Sequence, residues 1–261
     1  MFSVFFQIII PFFLSAIVVI LITVIAEKYG TKVGGILGTL PSTIVIAFLF
    51  IALNEGERFA SQAAAVVPAE LGINVIFLFV FALLIHRSTL VAFVGTFTVW
   101  SILSASLVFF NMENIFISVS CYLLAVVFAF FILEKRKRIR SAAKRNIHYT
   151  FTKIMFRGIL AGIVIAIAVY LSNFGSVISG IFSVFPAILS STMLISVREH
   201  GPDFAAGMAK SMLLGLSSVA TYATIIHFLY PLYGIMIGSI IAYAFSFCVT
   251  LLIFTLRKKI S

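Results

Sequence analysis

"GILGTLPSTIVIAF", residues 35–48, sets a proline inside an apolar run of membrane-helix character, and "GIFSVFPAILSSTM", residues 180–193, does so again. Proline has no amide proton, and its ring crowds the carbonyl four residues back, here Leu37 and Phe182. A hydrocarbon interior holds no water, so a carbonyl released there needs a partner within the protein. The reading of the fold turns on whether these are two isolated kinks or two copies of one device.

The surrounding composition is that of a membrane protein. Of 261 residues, 62% are hydrophobic and 10% charged, 29 are Phe, and the mean hydropathy is +1.23. A soluble domain is nearer 45–50% apolar and about 25% charged. Continuous apolar runs predict an all-α polytopic membrane protein. The short alternating strands of a membrane barrel are not seen. A net charge of +10 would suggest nucleic acid in a soluble chain. Here the basic residues gather at the ends of apolar runs, where they orient helices in a lipid bilayer, and no nucleic-acid partner is expected. Cys121 and Cys248 lie in apolar runs and form neither a disulfide framework nor a CxxC site. The first 26 residues contain no Lys or Arg, so the basic start of a cleavable signal peptide is missing and the first run is expected to stay.

Nine spans are predicted, at 4–26, 33–53, 62–86, 89–110, 114–133, 153–172, 177–197, 205–229 and 232–256. The longest connection is the basic segment 134–153, "EKRKRIRSAAKRNIHYTFTK". If it and the terminal "RKK" are cytoplasmic, the even number of spans between them agrees, and the N-terminus falls outside. Of the 18 basic residues only Arg58 then lies on the outer side. The expected location is the cell membrane, N-terminus outside and C-terminus cytoplasmic.

The two prolines coincide when the chain is shifted by 145 residues. Gly30 then meets Gly175, Gly35 meets Gly180, and the G-x-x-F-A of Gly56–Ala60 meets that of Gly201–Ala205. The organisation predicted is a first four-helix repeat (1–111), a central helix (112–134), a basic cytoplasmic linker (135–152) and a second four-helix repeat (153–261). The odd central helix turns the second repeat upside down relative to the first. Inverted repeats of this kind recur in secondary transporters.

Pro41 lies eight residues from the inner end of its predicted span and Pro186 nine from the outer end of its own, so both breaks fall near mid-membrane. The expected binding residues there are Pro41, Ser42, Thr43, Pro186, Ser190 and Ser191. Ser183 and Thr192 join them in repairing the Leu37 and Phe182 carbonyls or in facing a ligand. Two ionisable residues inside spans are further candidates. Glu70 sits about two turns into the third predicted helix, with Asn74 four residues on and on the same face. The alternative is an acid near the outer interface. Lys210 starts a stripe with Ser217, Thr221 and Thr224 that must face protein or water. Its alternative is a lysine reaching to the inner interface. No histidine pair has metal-ligand spacing, and no phosphate-binding, dinucleotide or nucleophile motif is present. Cofactors, metals and catalytic residues are therefore not expected.

Both repeats, "KYGTKVGGILGTLPSTIVIAFLFIALNEG" (28–56) and "NFGSVISGIFSVFPAILSSTMLISVREHG" (173–201 from Asn173), carry a Gly-containing loop, a helix with LP or FP near its middle, and a closing glycine. In this each resembles the small four-span GlpM-type inner-membrane proteins, over about 95 residues per half. The first repeat has Leu40 where the pattern has Phe. The resemblance implies an inner-membrane protein linked to polysaccharide production and names no catalytic residues. The expected function is a transporter or channel-like protein moving a small solute or ion through a midplane site. The alternative is a non-catalytic scaffold or assembly factor for envelope, lipid or polysaccharide synthesis. Either is compatible with a homo-oligomer, and neither is an enzyme.

Overall fold

The computed structural model describes residues 5–28, 40–136, 139 and 150–260. All its regular elements are helices. A π-helical turn, Phe5–Ile9, leads into α1, Ile10–Lys28. There follow α2 (Ser42–Glu55), α3 (Glu57–Leu84), α4 (Thr89–Phe109) and α5 (Ile115–Phe131), the last continued by a π turn, Ile132–Arg136. Then come α6 (Phe151–Tyr170), a 3₁₀ turn (Leu171–Phe174) and α7 (Ser176–Ser183). The final run, Ala187–Ile260, is non-helical at Gly201 and Gly234, which divide it into α8 (187–200), α9 (202–233) and α10 (235–260). Six helical runs among the described residues are long and apolar enough to cross a membrane, which gives the chain the build of a multi-pass helical membrane protein.

The two prolines are not inside helices, which corrects the sequence reading. Pro41 is the N-cap of α2, with φ −78° and ψ 47°, and Pro186 immediately precedes α8. The run expected as one helix over 177–197 is two half-helices, α7 and α8, parted at Val184–Pro186. A proline costs a helix least at its start, where the missing amide would have had no partner. The first half of the span expected at 33–53, with the Leu37 carbonyl, lies outside the described residues, as does most of the linker 135–152.

Local chemistry explains the other ends. Ser88 Oγ accepts from the Val91 amide at 3.0 Å and starts α4; Asn114 Oδ1 accepts from Phe116 and Ile117 and starts α5. Gly56 (φ 90°, ψ 166°) and Gly201 (φ 83°, ψ 178°) hold nearly the same backbone conformation, one that residues with a Cβ rarely adopt. Each lets the chain turn from one helix into the next without an intervening loop.

The centre is α3, packed by the run Ala187–Ile260, α5, α4 and α7. Ala63, Ala64, Ala65, Val66 and Val67 are wholly buried, as expected of a helix that is apolar on all sides. Small residues bring backbones together. A Cβ on Gly180 of α7 would fall 2.2 Å from the Ala63 carbonyl oxygen of α3. α1 and α6 pack antiparallel, Gly162 against Phe12 and Gly158 against Ala16 and Ile20.

Polar contacts between helix ends define two faces of the bundle. On one, Ser172 donates to Glu55, Ser176 to Glu113, the Ile235 amide to Glu57, and Ser61 to the His227 carbonyl. On the other, Lys153 pairs with Glu199, His86 with Asp203 at 3.8 Å, and Lys210 with Glu134 at 2.5 Å.

Candidate functional site

Glu70 is central rather than near an interface. α3 begins at Glu57, earlier than expected, so Glu70 lies thirteen residues from that end and fourteen from Leu84. It is wholly buried, and Asn74, one turn on, is 1% exposed. Pro68 sits inside the same helix and cannot donate to the Ala64 carbonyl.

Two neighbours complete the site. Ser104 of α4 is 3.0 and 2.9 Å from the two Glu70 oxygens and shares its one proton between them. Trp100, one turn earlier on α4, belongs to the same cluster, though its buried indole N–H reaches no acceptor in hydrogen-bond geometry. No basic side chain pairs with Glu70 among the described residues. A buried carboxylate is ordinarily paired or held by several donors; among the described residues the Ser104 hydroxyl is the donor within hydrogen-bond distance, with Trp100 beside it.

Asn74 joins the carboxylate helix to the broken one. Its Nδ2 donates to the Val184 carbonyl at 2.7 Å, at the gap between α7 and α8. Its Oδ1 is buried and finds no partner among the described residues. The rings of Phe182 and Phe185, on either side of Val184, stack at 6.0 Å, and Phe185 meets Trp100 edge-on at 4.9 Å. Beside this cluster lies a cavity of about 190 Å³ between α4 and α7. Trp100, Ser104, Ile178, Ile181 and Phe182 line it, and Ser101, Ala105 and Val108 form its exposed rim.

The hydroxyls expected to repair the second break act elsewhere. The Phe182 carbonyl accepts from the Phe185 amide at 3.2 Å, because the chain turns back on itself before the proline. Ser183 donates to Gly180, Ser190 to Pro186, and Ser191 and Thr192 both to Ile188. All are local bonds within one turn. Pro41 is buried, with Ser42 and Thr43 half-buried at the start of α2.

The polar stripe on α9 lies against α5, apart from the Glu70 cluster. Lys210, 4% exposed, pairs with Glu134 and donates to the Ile139 carbonyl at 2.6 Å. Ser217 meets the Tyr122 hydroxyl at 2.9 Å. Thr221 and Thr224 bond back to Ser217 and Ala220 in their own helix. Lys210 and Ser217 are thus engaged in joining helices, and Thr221 bonds within its own. No group of three metal-ligating side chains occurs among the described residues.

Trp100, Ser104 and Val184 were missed by sequence reading. The signal for the first two was faint: the chain's single Trp and a serine, four residues apart in "WSILSASL". Val184 contributes a backbone atom, for which there is no sequence signal.

The fold and this cluster together define a multi-pass helical membrane protein with a carboxylate sealed at mid-helix. Residues 8–115 are similar to a protein family of unknown function, DUF3147. The matched stretch carries Glu70, Asn74, Trp100 and Ser104. No curated protein and no solved structure matches the chain.

Proposed function

We propose that the chain is a transporter or channel-like membrane protein that moves a small solute or ion at a site between two inverted four-helix repeats, 1–111 and 153–261. The observation that carries this reading is the Asn74–Val184 bond, which fastens the buried carboxylate of α3 to the gap in a discontinuous helix. Transporters of inverted-repeat design bind substrates and coupling ions at such gaps, and an ionisable group at mid-membrane is costly enough to imply use. The matching conformations of Gly56 and Gly201, and two helices that each begin at a proline 145 residues apart, support the repeat. The sorting of helix-end contacts onto two faces supports nine alternating crossings, the basic face being cytoplasmic by its charge. No catalytic chemistry is assigned.

One observation favours the scaffold reading: Glu70 has no exposure, and the neighbouring cavity is faced mostly by apolar groups. The test is charge displacement by purified protein in proteoliposomes on a solid-supported membrane, with jumps of proton, sodium, potassium and small organic cations. The transporter reading expects transients in the wild type that Glu70→Gln abolishes. Wild-type traces identical to those of empty liposomes would sink it and leave the scaffold.

A further inference from the structure

Resting on the reading above, and naming the ion of its site, we infer that Glu70 and Asn74 together bind a proton whose release unfastens the gap between α7 and α8. Three observations converge on it. Glu70 is wholly buried, Asn74 is 1% exposed, and no ion pair among the described residues includes Glu70. Asn74 Oδ1 is buried and finds no donor among the described residues. The Val184 carbonyl can only accept, so it fixes the amide with its nitrogen at the gap and its oxygen elsewhere. Glu70 stands one helical turn before Asn74, the spacing at which side chains on one face meet.

One proton satisfies both groups. The O–H of a neutral carboxyl donates to Asn74 Oδ1, while its carbonyl oxygen accepts from Ser104, with the Trp100 indole beside it. Bonds then run from Ser104 through Glu70 and Asn74 to the Val184 carbonyl. When the proton leaves to water, an uncompensated charge and two acceptors remain in a dry interior. The smallest repair turns Asn74 Nδ2 to the carboxylate and breaks the Val184 bond. A metal ion would need a shell of oxygen ligands, whereas a proton needs the two acceptors already present. The titratable groups on the packed elements are engaged elsewhere. α4 and α7 carry none, and Glu57 and Arg58 lie at the start of α3. Glu55 of α2 accepts from Ser172, and Tyr122 of α5 meets Ser217. On the run Ala187–Ile260, Lys210 pairs with Glu134, His227 with Ser61 and Tyr222 with Tyr230. Arg198, Glu199, His200 and Asp203 lie about Gly201 at a helix end, and Cys121, Tyr233, Tyr243 and Cys248 are exposed.

Infrared spectroscopy of full-length protein in lipid nanodiscs tests this, because a protonated carboxyl has a carbonyl band distinct from those of carboxylates and amides. At neutral pH the wild type should show that band and Glu70→Gln should lose it. An amide at position 70 still offers Asn74 a donor, so this variant should fold. Asn74→Leu removes the acceptor and should shift the band to higher frequency, a readout that stands even if the Glu70 variant fails. Raising the pH should deplete the band; adding sodium or potassium at constant pH should not. For the gap, Val184→Cys in a background without Cys121 and Cys248 is labelled with a water-soluble maleimide. Its rate should rise more steeply with pH than in the same protein carrying Glu70→Gln. A wild type without the band at neutral pH, a band unmoved by Asn74→Leu, a band removed by sodium, or equal labelling in the two backgrounds overturns the inference. The band in a protein that shows no charge displacement would preserve the proton site while refuting transport. Charge displacement driven by sodium, without the band, would do the reverse.

Discussion

α3 and α9 are long helices that each begin at a glycine in the same mirror-image backbone conformation, Gly56 and Gly201, yet their interiors do different things. α3 is wrapped by neighbours and carries a carboxylate and an amide at its middle, both turned into the bundle. α9 spends its polar groups on attachments: Lys210 to Glu134, Ser217 to Tyr122, His227 to Ser61. At the positions 145 residues beyond Glu70 and Asn74, α9 has Gly215 and Val219. Similar backbones therefore carry one chemically loaded helix and one structural helix. The lesson is that similar turns can lead into chemically different helices: a glycine of the same conformation opens both, while the buried carboxylate occurs in one.

The largest effect that would break this comparison is expected at the packing of α3. Gly180→Leu drives a side chain into the Ala63 carbonyl, which is backbone and cannot move aside. The cost should meet or exceed the ~1–3 kcal/mol of ordinary overpacking. Loss of the monodisperse species in detergent size-exclusion chromatography is the readout; a stable, well-behaved variant would mean that α7 does not lie on α3.

The shared frame predicts a smaller and equal pair of effects. Gly56→Ala and Gly201→Ala have open space around the new methyl, so only the backbone is strained, by about 1–3 kcal/mol each. Thermal unfolding in one detergent should shift downward by similar amounts in both. A marked inequality would break the equivalence of the two turns.

The smallest effect sharpens the contrast between the helices. Lys210→Met leaves Glu134 unpaired, but that carboxylate is half-exposed and regains water. The change should stay below about 1 kcal/mol and leave the charge displacement in proteoliposomes untouched. A large loss of the transients would bring Lys210 into the site after all.

Much of the frame was legible in the chain. Hydropathy located the helices, because in lipid every backbone group must find its partner within the helix or a neighbour. The recurrence of G-x-x-F-A and of the two prolines marked the turns at Gly56 and Gly201 and the starts of α2 and α8. The role of the prolines was misread: a proline in an apolar run looks the same whether it kinks one helix or opens a second. Glu70 and Asn74 were visible as polar residues at helical spacing, but the depth of Glu70 was not, since α3 starts at Glu57 through a charged, unpromising "NEGERFA".

What the sequence alone determined, then, was the class of protein, the prolines at which α2 and α8 begin and the one helix that carries an acid well inside. These follow from local composition and spacing, which act within a few turns. Only the tertiary structure decided what the acid and amide meet: Ser104, 34 residues away, and the Val184 carbonyl, 110 residues away. A hydroxyl and a backbone oxygen carry no mark of their eventual partner. They become partners because small residues let α7 and α4 close on α3, and a dry interior leaves each polar group no other.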